Sequence, residues 1–187
     1  MVSTIKLLDK HMAGEKPDVT LVPGTVIAGG AVRRWFSGEK QDSDIDIFCK
    51  DSESEKSFIT INNLVERSRN DRIVMFIKSP IQLILKPQLV TPEDLLDHFD
   101  FVHCQFAYDG TEIITTIEAI LSVARKHLAV HSIQKGFEID SLRRAFKYAK
   151  QGYWPCIGTI RDLCKAINSA EVTDLTKFDT ISPDRWD

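Results

Sequence analysis

Residues 26–48 read VIAGGAVRRWFSGEKQDSDIDIF, and the fold turns on how this stretch is divided. Thr25 to Ala28 is continuously apolar enough for a buried strand. Gly29-Gly30 follows, and two glycines allow positive φ or close approach of another group to the backbone. Ala31 to Phe36 has helical composition, and Gly38 is a natural helix stop. The N–H groups at the start of such a helix form a site for an anion, although a plain strand-to-helix turn would use the same residues. Asp44 to Cys49 is the second strand. Its side chains alternate, so Ile45, Ile47 and Cys49 face one way and Asp44, Asp46 and Phe48 the other. Asp44 and Asp46 are then ~6.6 Å apart along the strand, a span that one or two cations bridge with a third carboxylate. Such a unit holds a triphosphate at one end and divalent metal at the other.

The rest of the composition fits a soluble support for that unit. The 187 residues are 43% hydrophobic and 27% charged, with a formal net charge of -3. That is one domain with a real core, and overall charge gives no drive toward nucleic acid or membrane. Cys49, Cys104, Cys156 and Cys164 form no Cys-x-x-Cys pair, so buried free thiols in a reducing compartment are expected rather than disulfides or zinc. The opening MVSTIKLLDKHMAGEK lacks the apolar core of a secretion signal, and no run approaches the roughly 20 apolar residues of a membrane helix. A cytoplasmic location with no membrane partner is the expectation.

Outward from the central stretch, Ser3 to Met12 reads as a short helix with Ser3 as N-cap. Asp51 to Arg69 reads as a polar helix capped by Ser52. Arg72 to Ile77 and Ile81 to Lys86 form a hairpin. Thr91-Pro92-Glu93-Asp94 starts a helix that ends near His98. Phe99 to Phe106 reads as a buried strand. Asp100 lies near its start between two Phe residues, where a carboxylate must be paired or bind metal. It is the choice for the third carboxylate, ahead of Asp94, Asp97 and Asp109; a turn carboxylate capping backbone N–H groups is the alternative. Asp109-Gly110 is a turn, Thr111 to Thr115 a returning strand and Ile117 to Leu128 a helix. Asp140 to Gln151 forms a helix on which Arg144, Lys147 and Tyr148 fall together. That face either holds phosphates and stacks a base or is merely solvated. Pro155 to Ile167 is a further helix, and Ser169 to Asp187 a loose polar tail.

Gly29-Gly30-Ala31-Val32-Arg33-Arg34 and Asp44-Ile45-Asp46-Ile47 resemble the nucleotidyltransferase superfamily that includes DNA polymerase beta. The Gly-Gly-Ala-Val-Arg run looks most like the head domain of tRNA CCA-adding enzymes and poly(A) polymerases, in a compact stand-alone phage or bacterial form. Those enzymes usually carry Asp where this chain has Arg34. The resemblance implies an α/β (α+β) fold, a mixed β-sheet flanked by helices. Residues 1–130 would be the catalytic domain and 131–187 a small helical segment with a polar tail. It further implies that Gly29 and Gly30 bind the triphosphate, and that Asp44, Asp46 and Asp100 bind Mg²⁺ or Mn²⁺ and form the catalytic triad. Beside what the resemblance implies, Arg33 or Arg34 is the basic group expected on the β,γ-phosphates, and Arg144, Lys147 and Tyr148 are the candidates for the rest of the NTP site.

The implied reaction is attack of an acceptor hydroxyl, such as an RNA or tRNA 3′ end, on the α-phosphorus of an NTP, ATP or CTP foremost, with release of pyrophosphate. Two further classes stand beside it: a nucleotide-binding module whose activity has lapsed, and an antitoxin-like partner. Small antitoxin nucleotidyltransferases usually have Gly-Ser at the turn, and this chain has Gly-Gly.

Overall fold

The computed structural model describes residues 3–85 and 91–170. Its main feature is an eight-stranded mixed sheet in the order β1-β8-β7-β2-β3-β6-β5-β4. The strands are β1 (Thr4–Leu7), β2 (Thr25–Ala28), β3 (Ile45–Cys49), β4 (Glu66–Arg69), β5 (Ile73–Phe76), β6 (Ile81–Leu85), β7 (Phe106–Tyr108) and β8 (Ile113–Thr116). Every neighbouring pair is antiparallel except β3 with β6, which run parallel in the register Asp46↔Gln82. A second, two-stranded parallel pair joins β9 (His127–Leu128) to β10 (Trp154–Pro155).

Among the described residues six α-helices complete the fold: α1 (Gly30–Ser37), α2 (Ser52–Ile61), α3 (Pro92–His98), α4 (Ile117–Ala124), α5 (Glu138–Lys150) and α6 (Ile157–Ser169). The two faces of the sheet are covered unequally. On one face Ala31, Val32 and Trp35 of α1, Phe58 of α2, and Ala119 and Val123 of α4 pack on Ile27, Ile45, Ile47, Val74 and Leu83. On the other, Leu95 and Leu96 of α3 cover Ala28, Ala107 and Ile114. Phe48, Ile73, Met75, Gln82 and Ile84 lie on that second face over β3, β6 and β5 and remain half-buried. A third apolar cluster, built on Phe101, Leu128, Ala145, Tyr153 and Leu163, carries α5 and α6.

Much of the local reading agrees with this architecture. The hairpin of β5 and β6 forms, and Thr91 caps α3 in a reciprocal capping box with Asp94 and Pro92 in the first turn. Gly38 ends α1 at φ 73° in the left-handed region. Several expectations are corrected. Thr4–Leu7 is a strand, not part of a helix, because the alternation of Thr4, Ile5, Lys6 and Leu7 is used to pair with β8. The helix expected over Asp51 to Arg69 stops at Ile61. The side-chain amide of Asn62 bonds the backbone of Thr20, Asn63 turns at φ 50°, and the chain returns as β4. Its N-cap is Asp51, which accepts from the Ser54 N–H, rather than Ser52.

Phe99 to Phe106 is not a continuous strand. Asp100 and Phe101 bend to meet residues 129–131, with the Asp100 carbonyl accepting from the His131 N–H, and a 3₁₀ turn over Val102–Cys104 follows. The helix from Ile117 ends at Ala124, and Lys126 at φ 50° turns the chain into β9. The thiols divide: Cys49 and Cys104 are buried, whereas Cys156 and Cys164 are exposed. The expected tail beyond residue 170 lies outside the described residues. No described helix is long and apolar enough to cross a membrane.

Candidate active site

The central strand–turn–helix–strand unit places both expected ends of the site together. Gly29 sits at φ 78° and ψ −134°, a conformation open in practice only to glycine. Its N–H donates to the Phe106 carbonyl, and a Cβ there would stand 3.0 Å from Cε1 of Phe99. Gly29 therefore makes the turn and presses against the aromatic beneath it, while Gly30 starts α1. From Gly30 the next close side chain is Arg34, whose Nη1 lies 3.0 Å from a built Cβ.

Arg34 is the tie between the turn and the carboxylates. It is 4% exposed, its Nη2 donates to the Asp44 carbonyl at 3.2 Å, and its Nε donates to Gln41 Oε1 at 3.1 Å. Gln41 in turn donates to the Ala31 carbonyl at 2.9 Å. The loop that delivers Asp44 is thus stitched to the first turn of α1. On β3, Ile45 and Ile47 point into the core, so Asp44 and Asp46 project from the opposite face, Asp44 exposed and Asp46 half-buried. Burial, and then the charge of Asp44, push the Asp46 carboxyl up to about 6, against the pull of Lys147 and Arg34.

The face of α5 separates into three directions. Lys147 reaches the carboxylate end, with Nζ 3.4 Å from Ser43 Oγ. Arg144 pairs with Asp100, Nε to Oδ2 at 2.6 Å. Tyr148 turns inward: its hydroxyl accepts from the Cys104 thiol, and its ring meets Phe101 and His103 edge-on. Arg33 goes the same way and is 1% exposed. It pairs with Glu39 at 3.2 Å, donates to Gln151 Oε1 at 3.2 Å, and lies 5.1 Å from the ring centre of Tyr153 and 5.7 Å from that of Tyr148. Its Nε and Nη1 have no hydrogen-bond partner, so the aromatic rings carry that part of its solvation. Arg33 and Tyr148 join α1 to α5 from inside and do not line the carboxylate face.

Asp100 is likewise engaged elsewhere. Among the described residues no group of three or more His, Cys, Asp or Glu side chains is placed to hold a metal ion. Asp44 and Asp46 are brought together with Arg34 and Lys147; Asp100 is not. What the pair offers still fits a hard divalent cation, because two carboxylates share one strand face and the charge of Asp44 helps to raise Asp46 despite Lys147 and Arg34. Sequence reasoning missed Gln41, Ser43 and Gln82. Gln82 was legible in part, since the alternation of Ile81, Gln82 and Leu83 sends it away from the core, but only the register with β3 puts it beside Asp46.

This sheet, with its parallel β3–β6 pair and a helix started by the Gly29–Gly30 turn, is of the nucleotidyltransferase type, as comparison with solved structures bears out. The Thermotoga maritima CCA-adding enzyme complexed with tRNA matches at 21% identity and a TM-score of 0.58, over 77% of this chain and 38% of that one. A tRNA-processing enzyme with CTP matches at 18% identity and a TM-score of 0.58, over 77% and 43%. A tRNA nucleotidyltransferase complexed with a primer tRNA and an incoming ATP analog matches at 16% and 0.55, over 77% and 46%. At such identities the likeness is one of fold, and the chain spans less than half the length of each of these proteins. The profile of the Gabija anti-defense 2 family matches residues 4–126, and the chain belongs to that family. No curated protein matches it.

Proposed function

We propose that the chain is a metal-dependent nucleotidyltransferase that moves a nucleoside monophosphate from an NTP to a hydroxyl acceptor and releases pyrophosphate. The observation that carries the reading is the convergence of Asp44 and Asp46 with the Gly29–Gly30 turn through Arg34. In this reading residues 1–130 are the catalytic unit and 131–187 a second segment, whose helix α5 walls the site.

The turn and the first N–H groups of α1 receive the phosphates. Arg34, held between the turn and Asp44, offsets their charge, and Lys147 does so from the α5 side. Asp44 and Asp46 hold the cation. When bound there, Mg²⁺ or Mn²⁺ supplies positive charge for the attacking and leaving oxygens. Arg144, paired to Asp100, fixes α5 so that Lys147 faces the carboxylates. ATP or CTP is the proposed donor and an RNA 3′ end the proposed acceptor, in keeping with the tRNA, CTP and ATP analog named for the similar structures. In this reading the transfer serves the anti-defence role against Gabija for which the family is named.

The pairing of Asp100 with Arg144 favours one second reading, a nucleotide-binding module that does not turn over. Incubation with each labelled NTP, Mg²⁺ or Mn²⁺, and total RNA or protein separates the two. Label in an acceptor with matching pyrophosphate, lost in Asp44→Ala and Asp46→Ala, is the expected result. Nucleotide binding with no pyrophosphate from any NTP would establish the second reading.

A further inference from the structure

Gln82 is the side chain that the sheet sets against Asp46. The two residues are register partners on the parallel strands β3 and β6, where neighbouring strands run ~4.8 Å apart. Both leave the core in the same direction, because Ile45, Ile47, Ile81 and Leu83 occupy the opposite face. Further across the sheet, Gln82 pairs with Met75, and Met75 with Ser68. On the other side of β3, the next position along β2 is the methyl group of Ala28. Among the described residues, the carboxamide that the strands flanking Asp46 bring to its row is therefore Gln82.

Resting on the nucleotidyltransferase reading, we propose that Gln82 is the third protein side chain of the cation site, a neutral oxygen donor in a two-carboxylate centre, so that the divalent ion enters with the nucleotide rather than ahead of it. The charge count supports this. Asp44 and Asp46 bring two negative charges, and Arg34 and Lys147 bring two positive charges that act on Asp46. The protein side of the centre is near neutral before any ligand arrives. Affinity for a hard cation follows the number of charged oxygens around it, and here the nucleotide's phosphates supply those that the strands do not. A carboxylate at position 82 would remove that dependence.

Mn²⁺ alone, titrated against the full chain and followed by electron paramagnetic resonance and calorimetry, tests the proposal. Wild type should bind the ion weakly, and a non-hydrolysable NTP analogue should tighten it about tenfold or more. Gln82→Glu should gain at least about tenfold in affinity for the ion alone, and Gln82→Met should lose part of the tightening by the analogue. Far-UV circular dichroism and thermal unfolding check that each variant is folded. The proposal is overturned if Asp46→Asn abolishes Mn²⁺ binding while Gln82→Glu leaves it unchanged, or if wild type binds the free ion as tightly as it does with the analogue. If Asp44→Asn and Asp46→Asn both leave Mn²⁺ binding unchanged, the carboxylate pair is no cation site and the functional reading itself fails.

Discussion

Asp46 should cost the fold stability at neutral pH, and Asp46→Asn should return it. Burial and the adjacent Asp44 raise its carboxyl from 3.8 to about 6. The folded chain thus holds this proton more tightly than the unfolded chain does. Well below pH 3.8 both states are protonated and there is no penalty. As pH rises, the unfolded chain ionises first and stability falls, until the penalty is complete above about pH 6. At ~1.4 kcal/mol per unit the ceiling is about 3 kcal/mol, and a half-buried group realises on the order of 2 kcal/mol. In a protein of this length that is ~4–8 °C in Tm. Urea unfolding followed by circular dichroism at pH 4, 5, 6, 7 and 8 reads the difference directly. Asp46→Asn should exceed wild type only slightly at pH 4 and by the full amount at pH 7 to 8. Asp44→Asn, which removes the second cause, should recover part of it. Mg²⁺ with an NTP analogue should stabilise wild type above pH 6 and leave Asp46→Asn unmoved. A constant difference between Asp46→Asn and wild type across the whole range would refute the reasoning.

Other perturbations probe the supports. Gly29→Ala forces a side chain into a glycine-only conformation with Phe99 Cε1 3.0 Å away; about 2 kcal/mol or more should be lost in urea unfolding. Phe58→Ala, at a fully buried position between α2 and the sheet, should cost about 3–5 kcal/mol by the same measurement. Arg144→Met leaves Asp100, whose side chain is 10% exposed, without its partner. Since Arg144 is itself 40% exposed, the expected loss is nearer ~1 kcal/mol than the cost of a fully buried pair, with faster proteolysis of α5 as the second readout. Cys156, capping α6, has its thiol lowered to about 6 by the Thr159 side chain first, then by the Thr159 backbone and His127. Its alkylation by iodoacetamide should rise through pH 6 and level off by pH 8, followed by mass spectrometry.

What the residues reveal in advance depends on how local the determinant is. The Gly29–Gly30 turn, α1 with its Gly38 stop, the alternation on β3 and the Thr91 capping box are all written within a few neighbouring residues, and all form. The strand at Thr4–Leu7 was misread because its partner, β8, lies more than a hundred residues away, and four residues of mixed polarity satisfy either period. The long helix from Asp51 was cut by Asn62, whose amide finds the backbone of Thr20, a tertiary contact that no helical pattern announces. Asp100 reads as a carboxylate that must be paired or bind metal; it pairs with Arg144, and among the described residues no third acidic side chain joins a metal-holding group with Asp44 and Asp46. The flanking aromatics reveal burial, but only the fold reveals that the partner is Arg144.

The helix face of Arg144, Lys147 and Tyr148 carries the larger lesson about how the site is held. Three residues adjacent on one helix do three different things, because α5 sits in the seam between α1, the 3₁₀ turn over Val102–Cys104 and the strand end that carries Asp44. Tyr148 and Arg33 are used up inside that seam, where a guanidinium with two unpartnered nitrogens is tolerable only because rings and Glu39 surround it. Lys126 adds a second cation on Glu39. This buried set fixes the distance between α1 and α5. Lys147, exposed and in a long 3.4 Å contact with Ser43, keeps the freedom to leave that hydroxyl for a phosphate. A rigid interior and one loosely held lysine are what a phosphate-binding wall requires: the position is set by groups that cannot move, and the charge is delivered by one that can.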